Sequence, residues 1–105
     1  KMEDKKIFEE MVNILKAYTK NVTLLDKATL DTHILNDLKV NSARLVDVII
    51  KCEDVFGISV DDDEADKIRT IGDAVNIIKQ IIVDVSFFVI SLIPPRFNKI
   101  VFQLL

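Results

Sequence analysis

The amino-acid sequence predicts an all-α protein, and three observations carry that prediction. The chain has 105 residues, which is the size of one ordinary domain. Half of the residues are hydrophobic, whereas only two are glycine and two are proline, a composition that favours packed helices over a turn-rich sandwich. Apolar residues also recur at intervals of three and four in three separate stretches, which is the period of an amphipathic helix.

The first of these stretches, residues 4–18, predicts an amphipathic helix with Asp4 as its N-terminal cap. Residues 19–40 then carry Thr, Asn and Asp at intervals with isolated apolar positions between them. This pattern predicts a long ordered loop, and loops of that length in small domains are often functional. The apolar face of the first helix consists of Ile7, Met11, Ile14, Leu15 and Tyr18.

Residues 42–56 give a strong helix signal, because the apolar stripe advances in steps of three, four, three and four. Gly57 follows as a natural C-terminal stop. A short acidic helix is predicted over residues 62–68, and another amphipathic helix over residues 70–82. The stripe of the second helix is Leu45, Val48, Ile49, Cys52 and Phe56, and the inward residues of the last are Ile71, Ala74, Val75 and Ile78.

The composition changes abruptly near residue 80. Residues 81–105 contain only Asp84, Arg96 and Lys99 as charged residues. The apolar run from 81 to 93 is too short for a transmembrane span, contains Asp84 and ends at two prolines, so no span is predicted. We therefore divide the chain into a domain over residues 1–80 and an apolar C-terminal extension over 81–105.

The extension is expected to be helical and packed on the domain or on a partner chain. Three explanations for it stay open. It is a further helix that covers the domain, or a segment for homodimerisation or membrane contact, or a sequence that is not native to the protein. Domain exchange between two chains is one low-cost way to bury such a segment.

Charge and cysteine content exclude some classes of function. The net charge of −3 and the pI near 5.1 argue against nucleic acid as the main partner. Cys52 is the single cysteine, so no internal disulfide forms, which fits a reducing compartment such as the cytoplasm. Its place on an apolar stripe predicts an inert buried thiol. The charged residues 1–10 do not resemble a secretory signal.

Ser42 stands where the loop meets the second predicted helix. Both Asn41 and Ser42 are residue types that cap helices, and the plain interpretation is that Ser42 is a cap. A hydroxyl there is also near backbone N–H groups and the positive end of the helix dipole, where a phosphate ester is stabilised. No histidine lies nearby and the nucleophile elbow G-x-S-x-G is absent. Ser42 is therefore predicted to accept a phosphate-linked group rather than to act as a catalytic nucleophile.

The stretch ILNDLKVNSARLVDVIIKCEDVFGISVDDDEADKIRTIGDAVNII resembles an acyl carrier protein. The family pattern is an apolar and acidic segment with Leu, a turn into Asp-Ser-Leu, a helix that ends in Phe-Gly-Ile, an acidic helix and Thr-(Val/Ile)-Gly-Asp-Ala. The resemblance covers roughly residues 4–80 and implies an antiparallel four-helix bundle with three main helices and one short one. The matching positions are Ile34, Asp37, Leu38, Ser42, Val46, Asp47, Phe56, Gly57, Ile58, Asp62, Ala65, Ile68, Thr70, Ile71, Gly72, Asp73 and Ala74.

The resemblance implies that Ser42, between Asn41 and Ala43, carries 4′-phosphopantetheine derived from coenzyme A. An acyl or aminoacyl group would be held on it as a thioester and delivered between enzymes of lipid or secondary-metabolite synthesis. The implied partners are a phosphopantetheinyl transferase and acyl-transferring or synthetase enzymes. The implied acyl pocket is Ile49, Cys52, Val60 and Ile68. The expected partner-binding residues are Asp37, Arg44, Asp47, Lys51, Asp54 and Asp62.

The acidic residues 61–66 lack the EF-hand spacing and its central glycine, so we expect a solvated face there and no metal site. Some positions depart from the family pattern. Asn-Ser-Ala replaces Asp-Ser-Leu, Lys39 replaces a turn glycine, and Arg44 and Lys51 add positive charge to a helix that is acidic in fatty-acid carriers. These departures favour a specialised carrier over a housekeeping one.

Two other functions stay open. The runner-up is a degenerate carrier fold that acts as an interaction subunit with Ser42 unmodified. An enzyme ranks a distant third, because the sequence offers no acid–base or metal constellation.

Overall fold

The computed structural model describes residues 2–104, and the all-α class is confirmed. Among the described residues, the pairing of β type is one isolated bridge between His33 and Thr70. The helices are α1 (Met2–Leu15), α2 (Val22–Leu25), α3 (Ser42–Phe56), α4 (Asp62–Ala65), α5 (Ile71–Ser91) and α6 (Asn98–Leu104), with a 3-10 helix at Pro95–Phe97. The three long helices α1, α3 and α5, with the short α4, form the four-helix bundle.

The core forms where α1 packs on α5 and, to a lesser extent, on α3. Met11 of α1, Val48 of α3 and Ile78 of α5 are each at most 2% exposed. Burying one such side chain stabilises the fold by about 1.5–3 kcal/mol, so this cluster dominates the stability of the bundle. The predicted inward residues of α1, apart from the half-buried Tyr18, and of α5 are all buried; they are Ile7, Met11, Ile14, Leu15, Ile71, Ala74, Val75 and Ile78.

The prediction that Asp4 caps the first helix is wrong. Asp4 lies inside α1, which already includes Met2 and ends at Leu15 rather than at residue 18. The Asp4 carboxylate instead pairs with Lys79 of α5, with 3.0 Å between Nζ and Oδ1. This ion pair is partly exposed and contributes little stability, so the packing of α1 on α5 rests on the core.

The segment 19–40 is ordered, as predicted, but it contains the single-turn helix α2, which the sequence analysis missed. Its second half is tied to the entry of α5 by three backbone hydrogen bonds. The N–H of Ile34 donates to the Arg69 carbonyl (2.9 Å), that of Ile71 to Thr32 (3.0 Å) and that of Gly72 to Leu30 (2.8 Å). A Cβ on Gly72 would lie 2.8 Å from the Leu30 oxygen, so this close approach requires glycine.

The predicted bounds of the 42–56 helix are confirmed, because its start and stop signals coincide with its apolar stripe. Val48 and Cys52 of that stripe are buried, and Leu45, Ile49 and Phe56 are half-buried against the core. Gly57 ends the helix in the left-handed conformation, with φ at 64°. The acidic helix α4 is shorter than predicted, since it ends at Ala65.

Helix α5 does not end near residue 82 but continues to Ser91, so the change of composition at residue 80 is not a helix boundary. Thr70 and Asp73 form a capping box at its start. The helix is long and apolar enough to cross a membrane by length and composition. Its first two turns are nevertheless buried in the bundle, through Ile71, Ala74, Val75 and Ile78.

The C-terminal part of α5 is exposed rather than packed on the domain. Ile82 is half-buried, whereas Phe87, Phe88 and Leu92 are each more than 60% exposed. The described structure therefore extends a largely apolar helix away from the bundle and gives the molecule an elongated shape, 53 × 26 × 19 Å.

Candidate functional site

Ser42 is the first residue of α3 and is exposed. Its neighbour Asn41 performs the capping, because the Asn41 side-chain oxygen accepts a hydrogen bond from the Ala43 N–H at 2.8 Å. The Asn41 carbonyl also accepts from the Arg44 N–H at 2.9 Å. Among the described residues, the Ser42 hydroxyl has no hydrogen-bond partner in the protein. Asn41, and not Ser42, is therefore the cap of α3, and the Ser42 hydroxyl is available to carry a group.

The surroundings of Ser42 suit a phosphodiester. The hydroxyl lies at the positive end of the 15-residue helix α3, whose first turn holds no acidic residue. The exposed Ala43 is small and leaves the approach to the hydroxyl open. Two residues further on, Arg44 adds positive charge. Its guanidinium is also paired with the Asp47 carboxylate, with 3.2 Å between Nη1 and Oδ2. These residues fit a phosphate-linked arm.

The turn before Ser42 contains a strained residue. Lys39 has φ at 56°, in the left-handed region that costs a residue with a Cβ about 1 kcal/mol. The buried residues Leu38 and Val40 flank it and hold the turn in place. This conformation accounts physically for the glycine of the family pattern, since glycine adopts positive φ without penalty.

A groove runs from Ser42 between α3 and α4. Acidic residues lie along the α4 side of the groove, and aliphatic residues cover much of the α3 side. An arm attached to Ser42 can therefore lie along a surface that is apolar on one side and charged on the other. The residues that line the groove are Ser42, Leu45, Val46, Ile49, Ile50, Glu53, Val60, Asp62, Ala65 and Asp66.

A small apolar cavity lies beneath the groove. Its volume of ≈ 10 Å³ is about enough for one water molecule, and no polar surface lines it. All four residues of the expected acyl pocket, Ile49, Cys52, Val60 and Ile68, line this cavity. The sequence analysis did not single out the remaining lining residues, Met11, Ile34, Leu45, Val48, Ala74, Ile77 and Ile78, for this role; periodicity had marked most of them as ordinary core.

Three side chains, Leu45, Ile49 and Val60, line both the groove and the cavity. They form the wall between the two, and none of them is fully buried. Val60 belongs to the connector before α4, so the wall consists of two side chains from a helix and one from a loop. Movement of this wall would join the groove to the cavity.

The loop side of the wall is fixed by Glu53. The N–H of Val60 donates to Oε2 of Glu53 at 2.8 Å, and the N–H of Ile58 donates to the Glu53 carbonyl at 3.1 Å. Because both acceptors belong to one residue of α3, the connector after Gly57 is held against that helix. The sequence analysis did not single out Glu53, because its partner Val60 lies seven residues further on, beyond the end of α3.

Cys52 lines the cavity and contacts α1. Its Sγ donates to Sδ of Met11 at 3.4 Å. Burial, together with the charge of Glu53, raises the pKa of the Cys52 thiol to about 12. The thiol therefore stays protonated at neutral pH and acts as a small apolar lining residue of the cavity rather than as a nucleophile.

The expected partner-binding residues divide into two sets. Arg44, Asp47, Lys51 and Asp54 follow one another along one side of α3, and Asp62 begins α4. Asp37 instead has a local structural contact, because its Oδ2 accepts from the His33 N–H at 2.8 Å. The sequence analysis did not assign Val46 or Ile50 to this surface, although they are 57% and 56% exposed on α3. Apolar residues outside the core-facing stripe are the signal that could have found them.

Comparison with known proteins agrees with this geometry. The family model described as "Phosphopantetheine attachment site" matches residues 13–78. The acyl carrier protein of Lactobacillus acidophilus is 42% identical over 73 residues, which cover 68% of this chain and 91% of that protein. The acyl carrier protein of Coprothermobacter proteolyticus is 39% identical over 79 residues, which cover 74% and 93%.

Among solved structures, an acyl carrier protein from Enterococcus faecalis, described as having high thermal stability, superposes with a TM-score of 0.63 at 26% identity. That similarity covers 74% of this chain and 96% of the other. The fold and the family match together define a phosphopantetheine carrier protein, whose prosthetic group is covalently attached 4′-phosphopantetheine. The chain belongs to the acyl carrier protein family.

Proposed function

We propose that Ser42 is the attachment residue and that the protein carries an acyl or aminoacyl group between enzymes of lipid or secondary-metabolite synthesis in the cytoplasm. The observation that supports this most directly is the division of roles between two adjacent residues. Asn41 caps α3, so the exposed Ser42 hydroxyl is not needed for the fold. When bound, the phosphopantetheine arm supplies the thiol that forms the thioester with the cargo.

The chain itself contributes binding and shelter rather than catalysis. The N-terminal end of α3 stabilises the negative phosphodiester, and the groove beside Ser42 gives the arm a path toward the wall of Leu45, Ile49 and Val60. The cavity behind that wall is closed to all but a very small group in the described conformation. We propose that a longer acyl chain enters by displacing the wall, since aliphatic side chains on all sides favour an apolar guest.

The side of α3 that follows Ser42 is the proposed contact surface for the transferase and the acyl-handling enzymes. It carries Arg44 and Lys51 among Asp47 and Asp54, with Val46 and Ile50 exposed beside them. A surface of mixed charge selects partners differently from a uniformly acidic one, because like charges opposite each other are costly. This supports a specialised carrier with its own set of enzymes.

Attachment is tested by intact mass after incubation with coenzyme A and a broad-specificity phosphopantetheinyl transferase. The expected result is a gain of one phosphopantetheine on the wild type and on Ser59→Ala, and none on Ser42→Ala. Ser59 is a matched control because it is also an exposed serine. If the folded wild type gains nothing with this transferase or with the transferase native to its source, the proposal fails and an unmodified interaction subunit takes its place.

Cargo shelter is tested by loading the modified protein with an acetyl or an octanoyl group and comparing amide chemical shifts. The octanoyl form is expected to shift the amides of Ile49, Cys52 and Val60, while the acetyl form leaves them nearly unchanged. Val46 and Ile50 are internal controls, because they line the groove and not the cavity. Octanoyl shifts limited to Val46 and Ile50 would place the cargo on the surface and contradict the internal pocket.

A further inference from the structure

The part of α5 that leaves the bundle is apolar around its whole circumference. Val85 and Leu92 continue the line of the buried Ile78, whereas Phe87 and Ile90 lie on the opposite side of the helix. Val85, Phe87 and Leu92 are 54%, 69% and 68% exposed. A helix that is hydrophobic on all sides is typical of a protein core or of a membrane segment, because a partner that covers one face leaves the other face in water.

The length and burial of the apolar run over residues 81–93 separate these two surroundings. A run of about 10–14 residues is typical of a core helix, of a secretory signal, or of a segment that enters a membrane without crossing it. An apolar stretch of 18 residues within α5 is only 17% buried, and its buried residues belong to the bundle, so a core helix does not fit. A secretory signal follows a short charged N-terminal region, whereas this run follows a folded domain. The segment that enters a membrane remains.

The few polar groups of this segment are compatible with lipid. Between Asp84 and Arg96 the sequence has no charged residue, and its polar side chains are Ser86 and Ser91. The Ser91 hydroxyl donates to the Phe88 carbonyl at 2.7 Å. A serine that bonds to the backbone of its own helix keeps its hydroxyl satisfied in apolar surroundings. The segment therefore holds little that must stay hydrated.

The uncharged part of the segment matches one leaflet of a bilayer in length. Residues 85–93 advance about 13 Å along the helix, and the hydrocarbon of one leaflet is about 15 Å thick, half of the whole. Pro94 and Pro95 follow, where a helix stops because proline supplies no backbone N–H. Crossing both leaflets would carry the Arg96 guanidinium to the centre of the bilayer, where a charge is costly. Entry into one leaflet avoids that cost.

We propose that residues 85–104 anchor the protein in one leaflet of an anionic lipid bilayer. The end of α5 lies obliquely among the acyl chains, and Arg96 and Lys99 extend their long side chains to the headgroups. The Arg96 guanidinium lies 4.9 Å from the centre of the Phe97 ring, which places an apolar group beside the charge at that level. Ile100 and Leu104, 55% and 82% exposed, add further apolar surface for the lipid.

Charge orients the molecule on such a surface. Acidic residues outnumber basic ones over residues 1–80, whereas basic residues outnumber acidic ones over residues 81–105. An anionic leaflet therefore repels the bundle and attracts the extension, so the extension is the part that reaches the lipid. The excess of positive charge is small, and burial of apolar side chains supplies most of the affinity.

Anchoring leaves Ser42 free. Ile82 of α5 and Phe56 of α3 line one groove where the extension leaves the bundle. Phe56 and Ser42 are at opposite ends of α3, about 21 Å apart along the helix. Attachment at Ser42 and anchoring through α5 are therefore separate properties, and either proposal can fail without the other.

The first test is flotation of the full chain in a density gradient with vesicles of phosphatidylcholine and phosphatidylglycerol. The variants Phe87→Asp and Val89→Asp place a carboxylate on opposite sides of α5. Val22→Asp is the matched control, because Val22 of α2 is 51% exposed and Val89 is 52% exposed. The wild type and Val22→Asp are expected to float. Binding of both α5 variants should weaken by more than about 30-fold, since a charge on either side of the helix would enter hydrocarbon.

The second test measures the depth of the helix in the bilayer. The chain contains no tryptophan, so Phe88→Trp supplies a single fluorophore. Its emission is expected to move to shorter wavelength on vesicle binding and to be quenched by lipids brominated on the acyl chain. Val22→Trp is the control, and its emission should neither move nor be quenched.

A wild type that does not float would overturn the proposal, and self-association of that chain in sedimentation velocity would assign the segment to a second copy. Weakened flotation of just one α5 variant would indicate a one-sided contact and contradict insertion. Flotation without quenching of Phe88→Trp would place the helix on the surface and also overturn insertion. Equal flotation with phosphatidylcholine alone would overturn the headgroup contact of Arg96 and Lys99.

Discussion

The backbone N–H of Val60 donates to Oε2 of Glu53 across 2.8 Å, and this contact links the loop before α4 to the last turn of α3. Val60 belongs to the wall that separates the surface groove from the internal cavity. A surface carboxylate therefore holds one side of the proposed entry to the cargo cavity, and loosening it should affect the loop before it affects the rest of the bundle.

Replacing Glu53 by alanine is expected to cost about 1–2 kcal/mol of folding free energy, the loss of a partly exposed hydrogen bond to a charged group. The amide hydrogen of Val60 should also exchange faster with solvent. Glu53→Gln keeps an oxygen acceptor and should retain most of the protection. Urea denaturation measures the folding free energy, and hydrogen exchange measured residue by residue gives the protection of Val60 in each variant. Asp54→Ala is the control for removing a neighbouring acidic residue. Unchanged protection of Val60 in Glu53→Ala would show that the contact does not hold the loop.

Lys39→Gly is expected to stabilise the protein by up to about 1 kcal/mol. The gain comes from relief of the left-handed backbone, reduced by the greater freedom of glycine in the unfolded chain. Urea denaturation with an unchanged m-value would measure it. Lys39→Ala removes the same charge but keeps a Cβ, so it should change stability by less than about half of that amount. Equal effects of the two variants would mean that charge, not backbone strain, is responsible.

Stability should fall with acidification partly through Asp73. Hydrogen bonds from the backbone N–H of Thr70, then of Arg69, lower the pKa of this carboxyl below its ordinary value of 3.8, and they outweigh the opposing effect of burial. Because the folded-state pKa is the lower one, the stabilisation is fully present above about pH 4 and is lost as the pH falls through the folded-state pKa.

The check is the urea midpoint of wild type and Asp73→Asn between pH 7 and pH 2.5. The variant should be less stable at pH 7, and the difference should shrink below pH 4, where the wild-type carboxyl becomes protonated. A difference that stays constant over the whole range would remove Asp73 from the acid response.

Cys52 should be unreactive in the folded protein. With its pKa raised to about 12 from an ordinary value of 9.0, its thiolate fraction at pH 8 is lower by about a thousandfold, and burial slows access further. Reaction with an aromatic disulfide reagent should therefore be limited by opening of the bundle and become fast in urea. A Ser59→Cys variant supplies an exposed thiol on the same chain for comparison. Equally rapid reaction of both thiols under native conditions would contradict the closed cavity.

The helix α3 could be predicted to its last residue because three independent signals agree there: the apolar stripe, the Asn-Ser start and Gly57. Helix α2 could not, since four residues are too few to show a helical period. The Asp4 cap failed for another reason: the partner of Asp4 is Lys79, 75 residues away along the chain, and local rules do not reach it.

The end of α5 shows the limit of composition as a boundary signal. A fall in charge near residue 80 indicates a change of environment, but nothing in residues 80–90 stops a helix; the first strong breaker is the pair Pro94–Pro95. The acyl-pocket residues came from family resemblance, and the described cavity brings all four together. The wall function of Leu45 needed coordinates, because sequence periodicity marks it only as core-facing.

The packing of α1 chiefly against α5 also bears on how the protein is made. About 60 residues separate Leu15 from Val75, so at about 5–20 residues per second a ribosome needs about 3–12 s to synthesise the helix that covers α1. During that interval Met11 and Leu15 have no α5 to bury them. A nascent chain of this design is open to chaperones until its last bundle helix is translated, although its finished fold is small and helical.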